Sequence, residues 1–435
     1  MRSGELHDLT ATEAAARIRE GQLSPVELVD AHLDRIRALE PRLHAWVHVD
    51  EAGALAVARE RHDEARRGRI RGRLHGVPVG VKDIIDVAGM PTRAGSRPFA
   101  ATAPTTDATS VARLRAVGAI ILGKTHTTEF AFRDPAPTRN PWNLEHTPGG
   151  SSSGSGAGVA ARMVPLALGS QTVGSILRPA AYCGVVGLKP THGLVPVDGV
   201  VALAWSLDHV GVLARTVADA ALGLSVIAAR SFTVSPSVPP RLALAPELLR
   251  RAEDAVAAQV SEAASAFARA GATIVEIKLP ASFAGLHEGG QRVLEAEAAA
   301  YHEARFKEHA SDYGPGIREL IQTGLAEPAI VFVRANRIRR AFRDDVMPLL
   351  EEYDGLLGPT APATAPAGLA LTGDASLCAP WSFAGVPSIS LPSGVAPSGL
   401  PHAIQLAAAA GREGLLLSVA TWCERVLGFV ASPPC

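Results

Sequence analysis

Residues 147–160 read TPGGSSSGSGAGVA, so that Ser151, Ser152 and Ser153 stand together in a glycine-rich loop, and an apolar run leads on from it through VAARMVPLALGS. Several chemistries use such a loop. Serine and glycine at this density suit a flexible linker, but the apolar continuation is a segment to be buried rather than a spacer. A phosphate-binding loop needs G-x-x-x-x-G-K-[ST]; Gly149 and Gly154 have the first spacing, and Ser155 stands where the lysine belongs. A nucleophile elbow needs G-x-S-x-G directly after a strand. Gly150, Ser152 and Gly154 supply the letters, but TRNPWNLEHTPGG before them carries two prolines and no apolar run. A different constellation comes from further along the chain: Ser175, next to glycine in GSQTVGSILRP, and Lys82, alone in the apolar stretch GVPVGVKDIIDV.

Lysine is scarce in this chain. Only Lys82, Lys124, Lys189, Lys278 and Lys307 occur, and every other basic side chain apart from histidine is arginine. Arginine keeps its proton at ordinary pH, whereas a buried lysine can release one, so a lysine kept among arginines is a candidate base. Histidine offers less. His126, His146, His192 and His209 lie near the serine segments without an Asp or Glu at a spacing that suggests a His-based triad, and His302 and His309 lack the i, i+4 spacing of a H-E-x-x-H zinc motif.

The elements that must carry these residues are legible from caps and periodicity. Thr10 with Glu13, and Ser24 with Pro25 and Glu27, mark two helix starts. Gly21 closes the first helix and Pro41 is expected to stop the second. TSVARLRAVG then AIILGKT, and later RAEDAVAAQVSEAASAFARAG then ATIVEIKLP, repeat the order helix, glycine, apolar strand. That order predicts an α/β fold with a largely buried mixed sheet. Residues 231–246 read as the most linker-like stretch and residues 295–350 as charged helices flanking the core.

Composition excludes several classes. The 435 residues are 47% hydrophobic and 20% charged with a net charge of -1, which gives no pull toward nucleic acid or acidic lipid. Cys183, Cys378, Cys423 and Cys435 form no C-x-x-C pair, so free thiols are expected. No signal-peptide h-region is visible, and no apolar run approaches the roughly 18 residues of a membrane span; a cytoplasmic protein is expected.

Taken together, GVPVGVKD, TPGGSSSGSGAGVAA, GSQTVGSILRPAAYCGVVGLKPT, SLDHVGVLARTVADAALGL, FAGVPSISLPSG and PHAIQLA resemble the amidase signature family over nearly the whole chain. The resemblance implies a single domain over residues 1–435, with a signature core at 65–225 and a variable helical region at 230–350, and helices on both faces of the sheet. It implies a Ser–Ser–Lys triad: Ser175 as nucleophile, Ser151, 24 positions upstream, as bridging serine at a cis peptide, and Lys82 as terminal base. A serine hydroxyl needs such a base, and a lysine serves only when burial lowers its pKa. The implied oxyanion donors are backbone N–H groups of Thr172, Val173, Gly174 and Ser175. Ser152 and Ser153 are expected to bond within the loop, with contact to the relay as the alternative for Ser152; Lys124 and Lys189 are expected to be structural, and Asp208 to support the site through hydrogen bonds.

The sequence departs from the family pattern at Gln171, where Asp is usual, at Val173, where Gly is usual, and at Leu177, where Arg is usual. Arg178 follows instead. This S-I-L-R-P order resembles a malonamidase-like branch in which the shifted arginine binds a substrate carboxylate; otherwise Arg178 ties down the loop before Pro179. The expected function is an amidase working through an acyl-enzyme on a small-molecule amide, with no metal or cofactor, no nucleic acid, no membrane, and a possible homodimer. The alternatives are the glutamine-cleaving member of a tRNA-dependent amidotransferase, which supplies ammonia and works with partner subunits, and a non-catalytic binding protein keeping the fold.

Overall fold

The first helices form where their caps place them. Thr10 and Ser24 each accept from the helix backbone, while Glu13 and Glu27 bond back to the cap N–H groups. The computed structural model describes residues 3–96, 99 and 103–435. Its helices are α1 (Ala11–Arg19), α2 (Pro25–Leu43), α3 (Glu51–Arg66), α4 (Thr109–Ala116), α5 (Ser153–Ala160), α6 (Leu177–Cys183) and α7 (Val217–Ile227). They continue with α8 (Pro246–Leu249), α9 (Asp254–Arg269), α10 (Leu286–His309), α11 (Pro315–Ala326), α12 (Ala329–Glu352), α13 (Ala379–Phe383) and α14 (Glu413–Leu427). Pro41 lies inside α2 rather than stopping it. The helix ends two residues later, so only its last turn bears the missing N–H, and His44 closes it at φ 51.

The strands are β1 (Trp46–Val49), β2 (Pro78–Lys82), β3 (Ile120–Thr125), β4 (Leu166–Gln171), β5 (Val186–Lys189) and β6 (His209–Ala214). They continue with β7 (Arg241–Leu244), β8 (Thr273–Glu276), β9 (Gly355–Pro359), β10 (Ser388–Val395) and β11 (Pro401–Ala407). All eleven join one mixed sheet in the order β1-β3-β2-β4-β6-β5-β10-β11-β9-β7-β8. Both helix–glycine–strand units are present, with Gly118 at φ 84 before β3 and Gly271 at φ 105 before β8. The linker-like stretch instead contains β7, which pairs with β8 and β9.

Both faces of the sheet are covered, as fully apolar strands require. On β3, Ile121 packs into one core while Ile120 and Leu122 pack into the other; on β4, Leu166 and Leu168 oppose Ala167 in the same way. Alternation of side chains along a strand produces this division. Residues 295–350 are helical as expected, within α10, α11 and α12. Cys183, Cys378 and Cys423 are buried free thiols. Among the described residues no helix is long and apolar enough to cross a membrane.

Strand direction fixes where chemistry can sit. β2 runs parallel to both β3 and β4, with Lys82 opposite Thr125 and Val81 opposite Leu168. Three carboxyl ends therefore finish together, which is where open parallel sheets leave room for ligands. Lys82 is the last residue of β2, and β4 runs straight into the turn at residues 172–175. The serine loop enters α5 against the same end. A Cβ at Gly154 would collide with the Ala45 carbonyl oxygen and the His126 amide nitrogen. Gly154→Ala is accordingly expected to destabilise the protein by about 1–3 kcal/mol, the usual cost of overpacking, measured as a fall in the thermal unfolding midpoint.

Candidate active site

The lysines at buried positions differ in what surrounds each amine. Lys82, Lys124 and Lys189 are all 0% exposed. Lys124 lies 3.0 Å from the Asp83 carboxylate and donates to Thr92 Oγ1. Lys189 donates to the carbonyl oxygens of Pro190 and Val386. Lys82 donates to two hydroxyls, Ser151 Oγ at 2.6 Å and Ser170 Oγ at 2.8 Å, and makes no ion pair among the described residues. A carboxylate holds a proton on its lysine and a carbonyl can only accept, whereas a hydroxyl can also return a proton to a neutral amine. Burial drives Lys82 well below the ordinary lysine range, with the Asp208 charge opposing and the Arg178 charge assisting. Burial also lowers Lys124, against the pull of Asp83, and Lys189 to about 7.

Ser151 is fully buried, and the Gly150–Ser151 peptide is cis. Gly149 turns the chain into this peptide at φ 80, a conformation that favours glycine. Hydrogen bonds from Thr128, Arg178 and Ser153 hold the loop. Thr128 N–H donates to Ser151 O at 3.2 Å. Arg178 Nε and Nη2 donate to Gly150 O at 3.0 and 2.6 Å. Ser153 Oγ donates to Gly149 O at 2.7 Å. Ser152 Oγ does not bond within the loop as expected; it lies within bonding distance of both the N–H and the carbonyl of Ser170, and so braces the strand that carries the second hydroxyl on Lys82. No strand leads into this loop, which removes the nucleophile-elbow reading.

Ser175 lies in the turn that follows β4, and its backbone meets the serine loop. The Ser152 N–H donates to Ser175 O at 3.2 Å, which joins the two serine segments directly. Ser175 is 7% exposed and Ser151 0%. Thr172 Oγ1 donates to Asp208 at 2.6 Å, and the other Asp208 oxygen accepts from the N–H groups of Leu203 and Ala204. Asp208 thus meets the expectation of support by hydrogen bonding; burial raises its carboxyl to about 6. Among the described residues, the N–H groups of Val173, Gly174 and Ser175 have no hydrogen-bond partner.

Arg178 is 8% exposed, with Nη1 on Gly373 O in addition to its two bonds on Gly150 O. Its guanidinium therefore ties the serine loop and the 373 segment together. Sequence reasoning missed Ser170, although it stands in the same GSQTVGS run that drew attention to Ser175. Of the four histidines near the serine segments, none forms an ion pair with a carboxylate among the described residues.

The lysine environments give opposite expectations for stability. Lys124→Met strands the buried Asp83 carboxylate and is expected to cost about 3–5 kcal/mol, as breaking a buried pair does. Lys82→Met strands no charge and is expected to leave the unfolding midpoint unchanged or raised. Thermal unfolding of the two variants side by side decides it.

A family model described as Amidase matches residues 27–417. The A subunit of the glutamyl-tRNA(Gln) amidotransferase of Anaeromyxobacter sp. (strain K) is 39% identical over 488 aligned positions, covering 99% of this chain and 98% of the relative. Among solved structures, an amidase matches with TM-score 0.90 at 33% identity, covering 96% of this chain and 99% of that one. The native peptide amidase from Stenotrophomonas maltophilia matches with TM-score 0.85 at 32% identity, covering 98% of each chain. These relatives lend no support to the malonamidase-like branch or to a homodimer. With a family match over most of its length and relatives aligned end to end, this chain belongs to the amidase signature family, enzymes acting on the C–N bonds of amides.

Proposed function

We propose that this protein cleaves a carboxylic amide through an acyl-enzyme on Ser175, with Ser151 and Lys82 as the proton relay. The observation that carries this reading is a buried amine bonded to two hydroxyls and paired with no carboxylate among the described residues. Ser175 Oγ adds to the amide carbonyl carbon; its proton passes to Ser151 Oγ while the Ser151 proton passes to the Lys82 lone pair. The second hydroxyl, Ser170, takes an amine N–H and leaves that lone pair aimed at Ser151. Negative charge gathering on the carbonyl oxygen meets the N–H groups of the turn at residues 172–175, the arrangement that stabilises tetrahedral intermediates. The C–N bond then breaks, and the leaving amine takes the proton back along the same path. Water repeats the sequence on the ester and releases the acid.

Two substrate readings share this chemistry. The similarity to the A subunit of an amidotransferase over nearly all of both chains favours glutamine as the amide, with ammonia used within a complex of several chains. This reverses the order expected from Gln171, Val173 and Leu177. A stand-alone amidase is the second reading, favoured by the match to an amidase structure at TM-score 0.90. The engaged guanidinium supports Arg178 as a residue that positions the serine loop for every substrate.

Fluorophosphonate labelling with peptide mapping tests the relay. Ser175 is expected to be labelled in the wild type, and the rate to fall on the order of 10²–10⁴-fold in Lys82→Ala and Lys82→Arg, the range for loss of a general base. Unlabelled Ser175 in folded protein would sink the acyl-enzyme. Because Lys82 must be neutral, the rate rises with pH through the lowered lysine pKa and reaches its plateau well below the ordinary lysine range. Glutaminase activity together with a co-purifying partner chain supports the amidotransferase reading, and turnover of other amides by the chain alone supports the second. Arg178→Lys is expected to lower kcat alike for amides with and without a free carboxylate; a KM effect confined to carboxylate-bearing amides would restore the carboxylate-binding role.

A further inference from the structure

Gln171 ends β4 with its side chain fully buried. Its carboxamide oxygen accepts from the N–H groups of Ile176 at 2.8 Å and Leu177 at 3.0 Å. Its amide nitrogen donates to Val173 O at 3.2 Å and to Ser382 Oγ on α13 at 3.0 Å. Ser382 Oγ in turn donates to Val173 O at 2.7 Å. One side chain therefore grips both ends of the turn that holds Ser175. No other uncharged side chain of this length presents an acceptor and a donor in one plane except protonated glutamic acid.

We infer that Gln171, with Ser382, is a positioning residue that sets the direction of the Gly174 N–H toward the developing oxyanion; the inference rests on the acyl-enzyme reading. In a trans peptide the C=O and the following N–H point in opposite directions within one rigid plane. Two donors on Val173 O fix the plane of the Val173–Gly174 peptide, and with it the Gly174 N–H. The acceptor end fixes the Ser175–Ile176 peptide in the same way, and the Ser152 N–H bond to Ser175 O holds it from the other side. Position 171 thus carries a device that needs both halves of an amide. A carboxylate there could hold Ile176 and Leu177, but it would set negative charge against the Val173 carbonyl.

The ionisable groups around Gln171 do not bond its carboxamide. His209 Nδ1 faces Gln171 O at 3.0 Å, and Asp208 is held on Thr172. Arg178 sits on Gly150 and Gly373, and Lys82 on Ser151 and Ser170. Any limb due to these groups appears in wild type and variant alike.

The test is the fluorophosphonate labelling rate of Ser175 across pH in wild type, Gln171→Glu and Ser382→Ala, with thermal unfolding recorded at each pH. The wild-type rate rises to a plateau. Gln171→Glu is expected to follow it only while the introduced carboxyl is protonated and donating to Val173 O, then to fall at least tenfold as that carboxyl ionises, giving an alkaline limb that the wild type lacks. Ser382→Ala removes one donor without adding charge, so its rate is expected to fall about threefold to tenfold at every pH with no new limb. A folded Gln171→Glu with the wild-type profile overturns the inference. Should Gln171→Glu fail to fold, a wild-type rate in Ser382→Ala overturns it. The two failures are distinguishable: an unlabelled wild type defeats the acyl-enzyme reading, whereas a labelled wild type with indifferent variants defeats only the role of Gln171.

Discussion

An ammonium group removed from water, with no carboxylate beside it, is the constraint on which the site depends. Burying an unpaired charge costs several kcal/mol even after relaxation, so the group gives up its proton instead. Among the described residues Lys82 is in that position: burial is the largest influence on it, and its partners are hydroxyls. Lys124 is as deeply buried and has Asp83 at 3.0 Å. The two lysines stand on neighbouring parallel strands, yet one is equipped to stay charged and the other to be neutral. The difference lies in the partners, and those of Lys82 arrive from the adjacent strand β4 and from a distant loop.

That loop has no regular structure of its own up to Ser151, so its shape comes from what it bonds to. Arg178 holds the carbonyl of the cis peptide from the helix that follows Ser175, and the Ser152 N–H holds the Ser175 carbonyl. The segments of Ser151 and Ser175 therefore fix each other, and both lie at the carboxyl ends of β2 and β4. Arg178 is linked to Ser151 through Gly150 O. Arginine suits this work because its planar fork reaches two carbonyls on different segments while keeping its charge.

Much of this is legible in the sequence because it is local. A capping box lies within four residues, a helix followed by glycine and an apolar strand within about twenty, and an isolated lysine in an apolar strand within one window. Pro41 and the 231–246 stretch mislead for the same reason: composition suggests one conformation, while neighbours settle another. Pro41 lies two residues from the end of α2, and β7 has β8 and β9 to pair with. The bonds of Gln171 to Ser382 and of Arg178 to Gly373 join residues 211 and 195 positions apart, and no periodicity reaches that far. Ser170 is hidden differently, since only the parallel pairing of β2 with β4 brings its strand beside Lys82.

The helical layer at the site is not an independent cover. Ser206 N–H donates to Glu297 of α10 at 2.9 Å, and Arg339 of α12 donates to Ser206 Oγ at 2.7 Å. Two residues further on, Asp208 binds Leu203 and Ala204 of the same loop and accepts the Thr172 hydroxyl. Hydrogen bonds thus tie α10 and α12 to Ser206, and Asp208 of the same loop to the first residue of the turn that carries Ser175, with the backbone of the loop between them. Groups in one network do not act additively when changed. A change at Glu297 or Arg339 therefore bears on the loop that holds Thr172, so the helical layer and the turn are not separate parts of the fold.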